Sequence, residues 1–324
     1  MRRRHLLIGT GIAAGAAGAP CVWAQKPLPN KAIRIVVPNA PGGAADITAR
    51  AVGEHMARSL GQPVVIDNKP GAGGVVAGQS VASAPPDGYT LPLISSGSAV
   101  SEALFKALPF NTQTAFAPVG VLATFDLVIV SAGNGRFQSL RDLIAYARQN
   151  PGKVNLGTPS LGTTQHLAAE WFKTAAQLDL QVVPFKSTPD VITGIRSGTL
   201  DAGLDILSPL LAQIQSKALR PLAVTGAQAS RVLPDVPTAQ SAGAPGLNAS
   251  SWNGLAAPAK TPPDVIARLN KAVNAALADQ GVRTRLENLN LDPHPGTPAD
   301  AARLLSGDIQ RWKQVIAKAG IARQ

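Results

Sequence analysis

The chain reads as an α/β protein of two similar domains, each a parallel sheet covered by helices. Three observations predict this. Apolar runs of strand length alternate with amphipathic stretches of helix length along most of the sequence, the pattern of β-α-β units. The loops at the carboxyl ends of those runs are rich in glycine and hydroxyl residues, and open α/β sheets gather their ligands there. At 324 residues the chain is long enough for two domains with proper cores.

Residues 1–24 stand apart from this pattern. Arg2, Arg3 and Arg4 form a basic head, residues 6–19 an apolar stretch and Val22-Trp23-Ala24 a small-x-small ending, which together predict an export signal cut after Ala24. Arg3-Arg4 ahead of His5-Leu6-Leu7 is a partial match to the twin-arginine route. The apolar stretch is too short for a permanent membrane helix and no later run reaches spanning length, so the expectation is a soluble mature protein outside the cytoplasm. Cys21 is the single cysteine and falls in the signal, which leaves the mature chain without thiol or disulfide chemistry. Pro20 before it argues against lipidation.

In the first domain, residues 32–37 are the first strand and Pro38, Pro41, Gly42 and Gly43 end it in a tight turn. A helix follows over residues 45–60, with Ile47, Val52, Met56 and Leu60 on one face. The first N–H groups of such a helix lack intrahelical partners and carry the positive end of its dipole, a ready anion site. Residues 64–67 form a second strand. The loop of residues 68–74 resembles a dinucleotide fingerprint only superficially, because Val76 occupies the place of the third glycine. Residues 89–94 form a third strand, ending at Ser95, Ser96 and Ser98, which either line a cleft or cap the next helix. Residues 119–132 are a long apolar segment interrupted by Thr124, Phe125 and Asp126, which reads as a crossing between domains.

The second domain repeats the design. A helix over residues 139–150 carries the Ser139/Asp142 spacing of a capping box. Residues 154–156 are a strand, residues 157–162 a Gly-containing loop, and Thr163 starts a helix through His166, Ala169 and Phe172. This second anion-suited helix start has the hydroxyls of Thr158, Ser160, Thr163 and Thr164 around it. Strands over residues 182–183, 203–206 and 222–225 enclose helices over 189–200 and 209–217. Residues 226–249 read as a long connection and 252–257 as a return crossing. Thr261-Pro262-Pro263-Asp264 and Thr297-Pro298-Ala299-Asp300 predict two helix starts of one kind, each with a threonine cap, proline in the first turn and an acid.

Several chemistries are disfavoured. Loss of the signal's three arginines leaves 27 basic against 19 acidic residues, a net charge of +8, which suits an anionic solute. No Lys/Arg run and 4% aromatic residues argue against nucleic acid. His55 and His294 lack acidic or histidine neighbours at metal spacing, so neither a metal nor a cofactor is expected. A serine hydrolase would carry a G-x-S-x-G turn, which is absent; His166 beside Ser160 and Thr163 is the nearest approach to acid/base chemistry, and the chain is read as a non-enzyme. Asp46 either complements the helix dipole or orders the turn before it. His166 contacts ligand or is a satisfied structural group. Asp205 binds a ligand amine or hydroxyl, or caps the helix that begins near Ser208.

VVPNAPGGAAD, GQPVVIDNKPGAGG, APPDGYTL, LPFNTQTAFAPVG, GTTQHLAAEWF, LRPLAVTGA, VLPDVPTAQSAGAPG and SSWNGLAAPAKTPPDVIARLN resemble, in order and spacing, the Bug-type extracytoplasmic solute receptors of tripartite tricarboxylate transporters. The resemblance runs from about Lys26 to Ile321. It implies a type II periplasmic-binding-protein fold, a Venus flytrap of two α/β lobes joined by two crossing segments: residues 25–125 plus 253–324, and residues 126–252. It further implies a periplasmic monomer that captures a small organic carboxylate for membrane permease subunits or, alternatively, reports it to a sensor. The implied ligand loops fall on Pro41, Gly42, Gly43, Ala44, Ala45 and Asp46, on Thr158 to His166, and on Asp205, with Ser95 and Ser96 beside them. Backbone amides, hydroxyls and waters hold the carboxylate in such a receptor, without an arginine clamp. Three departures stand out: Ala44 and Ala45 replace hydroxyl residues, Ile206 follows Asp205 in place of an amide, and Asn253 replaces an aromatic after Trp252. They predict a ligand less polar than citrate.

Overall fold

The computed structural model describes residues 31–324, and the export signal expected over residues 1–24 lies outside them. The first half opens with β1 (Ile33–Val37), α1 (Ala44–Leu60), β2 (Val64–Asn68), α2 (Val75–Ala82), β3 (Thr90–Ser95), α3 (Ser96–Leu104) and the short α4 (Thr112–Ala115). A 17-residue strand, β4 (Phe116–Ala132), leads out of it. The second half contains α5 (Leu140–Gln149), β5 (Asn155–Pro159), α6 (Thr164–Ala175), β6 (Gln181–Phe185), α7 (Thr188–Ser197), β7 (Ala202–Ile206), α8 (Leu207–Gln215) and β8 (Leu219–Val224). The return strand β9 (Ser250–Pro258) leads to α9 (Pro263–Ala278), α10 (Gln280–Glu287), the two-residue β10 (Asp292–Pro293) and α11 (Pro298–Lys318).

The main sheet runs β2-β1-β3-β9-β4-β7-β5-β6, with β8 and β10 added on β4. It is mixed, where the sequence alone predicts parallel sheets. β1 runs parallel to β2 and β3, and β5 parallel to β6 and β7, but β4 and β9 are antiparallel to each other and to their other neighbours. The reason is topological: a chain that leaves one half and later returns must run once in each direction. The polar interruption at Thr124, Phe125 and Asp126 does not break β4, because these residues pair with Trp252, Ser251 and Ser250 of β9.

The cores follow the apolar faces. Val36, Ile94, Leu104, Trp252, Ile309 and Trp312 belong to one cluster. In the second half, Leu127, Leu140, Leu156, Phe172 and Leu204 lie on one side of the sheet, and Val128, Val191, Leu207 and Val224 on the other. The connection over residues 226–249 is packed, with Ala239, Ala244 and Leu247 inside the core. Thr225 ties both of its ends: its hydroxyl donates to Ala249 O at 2.6 Å, its N–H donates to Leu127 O at 2.9 Å, and its carbonyl accepts from Ala249 N at 2.9 Å, which satisfies buried backbone groups a loose loop would leave orphaned.

The predicted capping box forms at Ser139/Asp142, and the predicted cap Thr297 forms a second one with Asp300. The matching expectation at Thr261 is corrected. The cap position of α9 is Pro262, with no side-chain cap, and the buried Thr261 hydroxyl has no partner. Two consecutive prolines put the helical start at Pro263, so Thr261 stands one residue too early. Helix α10 has no clear sequence signature, since only Val282 and Leu286 are buried along its eight residues.

Candidate functional site

Between the two halves of the sheet lies a cavity of about 270 Å³. Five helices begin at its wall. Lining residues come from the first turns or caps of α1 (Gly43, Ala44, Ala45), α3 (Ser95, Gly97), α6 (Thr163, Thr164, Gln165), α7 (Ser187, Thr188, Pro189) and α8 (Ile206, Pro209). Each such end carries unpaired N–H groups and the equivalent of about half a positive charge. Helices α1 and α8 have no side-chain cap, which leaves the first amides of α1 and those of Leu207 and Ser208 in α8 without a side-chain partner, Pro209 having no N–H. Among the described residues, Lys186 is the only cationic and Asp205 the only anionic side chain lining the cavity. The electrostatics therefore favour an anion, held by backbone dipoles more than by side-chain charge.

The turn before α1 has a specific construction. Gly42, at φ +83°, takes a left-handed conformation that suits glycine, and its N–H donates to Asp46 Oδ2 at 3.0 Å. Arg50 Nε donates to the same oxygen at 3.0 Å, and Arg50 Nη2 lies 2.9 Å from Oδ1. Burial would raise the Asp46 pKa, but bonds from Arg50, Gly42 and Asn68, with the Arg50 charge, outweigh it and hold it below the usual value. Asp46 is buried behind the turn and does not line the cavity. From the return strand, Asn253 Nδ2 donates to Thr48 Oγ1 at 3.3 Å, and Thr48 Oγ1 donates to Ala44 O at 2.7 Å, fixing the first turn of α1 from below.

The opposite wall is built around α6. Thr163 accepts from His166 N at 3.3 Å and donates to Pro159 O at 2.8 Å, locking the loop onto the helix start. Ser160 has φ +46°, and its N–H donates to Phe185 O at 2.6 Å. Asp205, at the end of β7, is fully buried. Its Oδ1 accepts from Ile206 N at 2.7 Å and Gln165 Nε2 at 3.1 Å. Its Oδ2 accepts no hydrogen bond of proper geometry, though the neighbouring Thr188 hydroxyl still favours the charged form. Burial pushes this carboxyl up to about 6, against the lowering effects of Thr188, Gln165 and Ile206. Asp205 does not cap α8 in the expected way: that helix starts at Leu207 with Ile206 in the cap position.

Of the residues singled out in the sequence, Pro41, Gly42, Gly43, Ala44, Ala45, Ser95, Ser160, Thr163, Thr164 and Asp205 meet at the cavity wall. Asp46, Ser96, Thr158 and His166 lie behind it. Ser95 caps α3 in a capping box. Ser96 is buried and accepts from Trp312 Nε1 at 3.1 Å. The buried hydroxyl of Thr158 and Nδ1 of His166 have no partner, and burial lowers the His166 pKa. Gln165 falls within the implied loop of residues 158–166, while sequence reasoning missed Lys186, Ser187, Thr188 and Asn253 as lining residues. A signal existed for some: Ser187-Thr188-Pro189-Asp190 has the cap, proline and acid of a helix start, and Asn253 stands at a departure from the resembled family.

The family model described as tripartite tricarboxylate transporter family receptor matches residues 48–321. Protein BugT of Bordetella pertussis is 32% identical over 322 residues, 99% of each chain. The structure of R. palustris Rpa4515 with adipate superposes with a TM-score of 0.87 at 32% identity, covering 91% of this chain and 99% of that one. MatC (Rpa3494) from Rhodopseudomonas palustris with bound malate gives 0.83 at 30% identity, covering 89% and 99%.

Proposed function

The chain belongs to the tripartite tricarboxylate transporter receptor family, and on that premise we propose that it is a periplasmic receptor that traps a small organic carboxylate between two closing lobes. The observation that carries this reading is the convergence of five helix starts on one cavity of about 270 Å³. The lobes are residues 25–125 plus 253–324, and residues 126–252, hinged on the crossing strands β4 and β9. One carboxylate is held by the amides of Gly43, Ala44 and Ala45 and by the α6 start, where Ser160, Thr163 and Thr164 add hydroxyls. Pro41 and Gly42 shape the turn, Ser95 closes its side, and Asp46, Ser96, Thr158 and His166 brace these elements from behind. The adipate and malate held by the two structural relatives support a carboxylate as the ligand class. The closed receptor then delivers its solute to membrane permease subunits.

No helix among the described residues is long and apolar enough to cross a membrane. Because Ala44 and Ala45 offer the ligand no hydroxyl, selectivity falls to the second lobe, and the solute is less polar than citrate. The test is a thermal-shift panel of di- and tricarboxylates, acidic amino acids and aromatic acids. A ligand that binds only the native state must raise the melting temperature. No stabilisation by any member at millimolar concentration would refute the reading, and citrate as the tightest binder would refute its selectivity.

A further inference from the structure

Three large apolar side chains stand well exposed among the described residues: Val65, Val76 and Leu161. Val76, 48% exposed, is in the first turn of α2, and Leu161, 41% exposed, lies in the loop before α6. These two belong to different halves of the fold, yet their loops adjoin. A Cβ built on Gly73 would lie 2.7 Å from Gly162 O, and one built on Gly162 would lie 3.4 Å from the Phe105 ring. Phe105 O accepts from Arg323 Nη2 at 2.9 Å, and Lys106 N donates to Gln324 O at 2.6 Å. On the other side of Leu161, Ser160 Oγ donates to Lys186 O at 3.3 Å. One continuous surface therefore runs from Lys186 past Leu161 to Val76, Lys106 and Arg323. Pro70, Gly71, Gly73, Ser160 and Lys186 also line the cavity, so this surface borders it.

The charge of the surface has one sign. Residues 68–78, 104–108, 158–163, 184–189 and 320–324 carry four cations, Lys69, Lys106, Lys186 and Arg323, and no acidic side chain. The acids next along the chain are already engaged: Asp67 faces Arg34 and Lys69, Glu102 accepts from Asn111 Nδ2 and Thr112 N, and Asp190 accepts from Ser187 Oγ. Lys106, Lys186 and Arg323 take part in none of the ion pairs among the described residues. Lysine is depleted at protein–protein interfaces, whereas cations set around a few exposed aliphatic side chains suit an anionic lipid surface, which takes up both. We infer that this face docks the receptor on the anionic phospholipid headgroups of a bilayer, with the cavity bordering the membrane. Each cation near such a surface is worth about fivefold in partitioning, and the three unpaired ones together about a hundredfold. The docking does not depend on which carboxylate the cavity holds.

The experiment is vesicle cosedimentation with protein isolated after export, its mass showing that residues 1–24 are gone, because that basic and apolar stretch would bind lipid by itself. Vesicles of phosphatidylcholine are compared with vesicles containing about 30% phosphatidylglycerol, at about 50 mM and about 500 mM salt. Binding to the anionic vesicles at low salt should exceed binding to the neutral ones by at least about tenfold and approach the neutral level at high salt. The double variant Lys106→Gln/Arg323→Gln should weaken it about 25-fold, and Val76→Gln/Leu161→Gln at least about threefold. Lys153→Gln/Lys271→Gln removes the same charge from exposed positions elsewhere and should leave binding within about twofold of the parent. All of these side chains are exposed, and a melting temperature close to the parent's shows that each variant is folded. An equal loss with the Lys153/Lys271 pair would mean that net charge alone is attracted, and would overturn the inference. So would binding no tighter to anionic than to neutral vesicles. Capture by permease subunits reconstituted in neutral lipid, with none by anionic lipid alone, would mark the face as a protein-docking surface and overturn it as well. A carboxylate receptor survives each of these results, because ligand binding in calorimetry is read separately.

Discussion

A single methyl group at Gly73 tests whether the two halves must meet for the ligand to be held. Gly73 sits in the loop before α2, at φ +62°, and a Cβ built on it would lie 2.7 Å from Gly162 O in the loop before α6 and 2.7 Å from Ser101 Oγ. Ordinary van der Waals contact begins near 3.4 Å, so the two loops would have to part by about 0.7 Å. The Gly73→Ala cost has two parts. Left-handed backbone costs an alanine about 1–2 kcal/mol in any state of the folded protein, whereas the overlap with Gly162 arises only where the two loops touch. Overpacking of this kind costs about 1–3 kcal/mol, which converts to roughly a 5- to 150-fold loss of ligand affinity. The control is Gly198→Ala at the C-cap of α7, where φ is +79° and nothing lies within 4 Å. Calorimetry and thermal unfolding on both variants separate the contributions: both should lose stability, and only Gly73→Ala should lose affinity. A folded Gly73→Ala protein that binds within twofold of the unaltered one would refute the argument that these loops close on the ligand.

Three further outcomes follow from the same geometry. Asp46→Ala removes charged hydrogen bonds to Gly42 and Arg50 worth about 2–3 kcal/mol and should lower both the melting temperature and ligand affinity. Since the folded pKa of Asp46 lies below its ordinary 3.8, its contribution is full above that value and is lost as pH falls through the folded one; Asp46→Asn should therefore differ most from the parent near neutrality and converge on it in strong acid, followed by unfolding at stepped pH. Lys186→Gln removes the only cation lining the cavity among the described residues and should weaken a dianionic ligand by roughly threefold to fivefold, less at high salt, in calorimetric titrations at two ionic strengths. Trp312 is fully buried, edge-on to Trp171 at 6.3 Å, and Trp312→Ala should cost about 3–5 kcal/mol in chemical unfolding.

Features set by neighbours in the chain were legible in the sequence. The capping boxes at Ser139 and Thr297 depend on residues three apart, the left-handed turn at Gly42 depends on the absence of a Cβ, and the apolar faces of α5 and α11 repeat with the helical period. That is enough to mark two helix starts as candidate anion sites. Distant pairing was not legible. Asn253 reaches Thr48 across 205 positions and Trp312 reaches Ser96 across 216, and no local pattern encodes either. Thr261 carried the local signature of a cap and yet does not act as one, because two prolines moved the helical start past it.

The sequence by itself determined the alternation of strands and helices, the glycine turns and the hydroxyl-rich start of α6, since those depend on backbone preference and periodicity within a few residues. Only the tertiary structure decided that β4 and β9 pass antiparallel through the middle of the sheet, that α3, α7 and α8 also begin at the cavity, and that one oxygen of Asp205 accepts two hydrogen bonds while the other accepts none of proper geometry. The physical reason is that burial and hydrogen-bond satisfaction are properties of a site assembled from distant segments. An acid at a strand end carries no mark of whether both of its oxygens will be used.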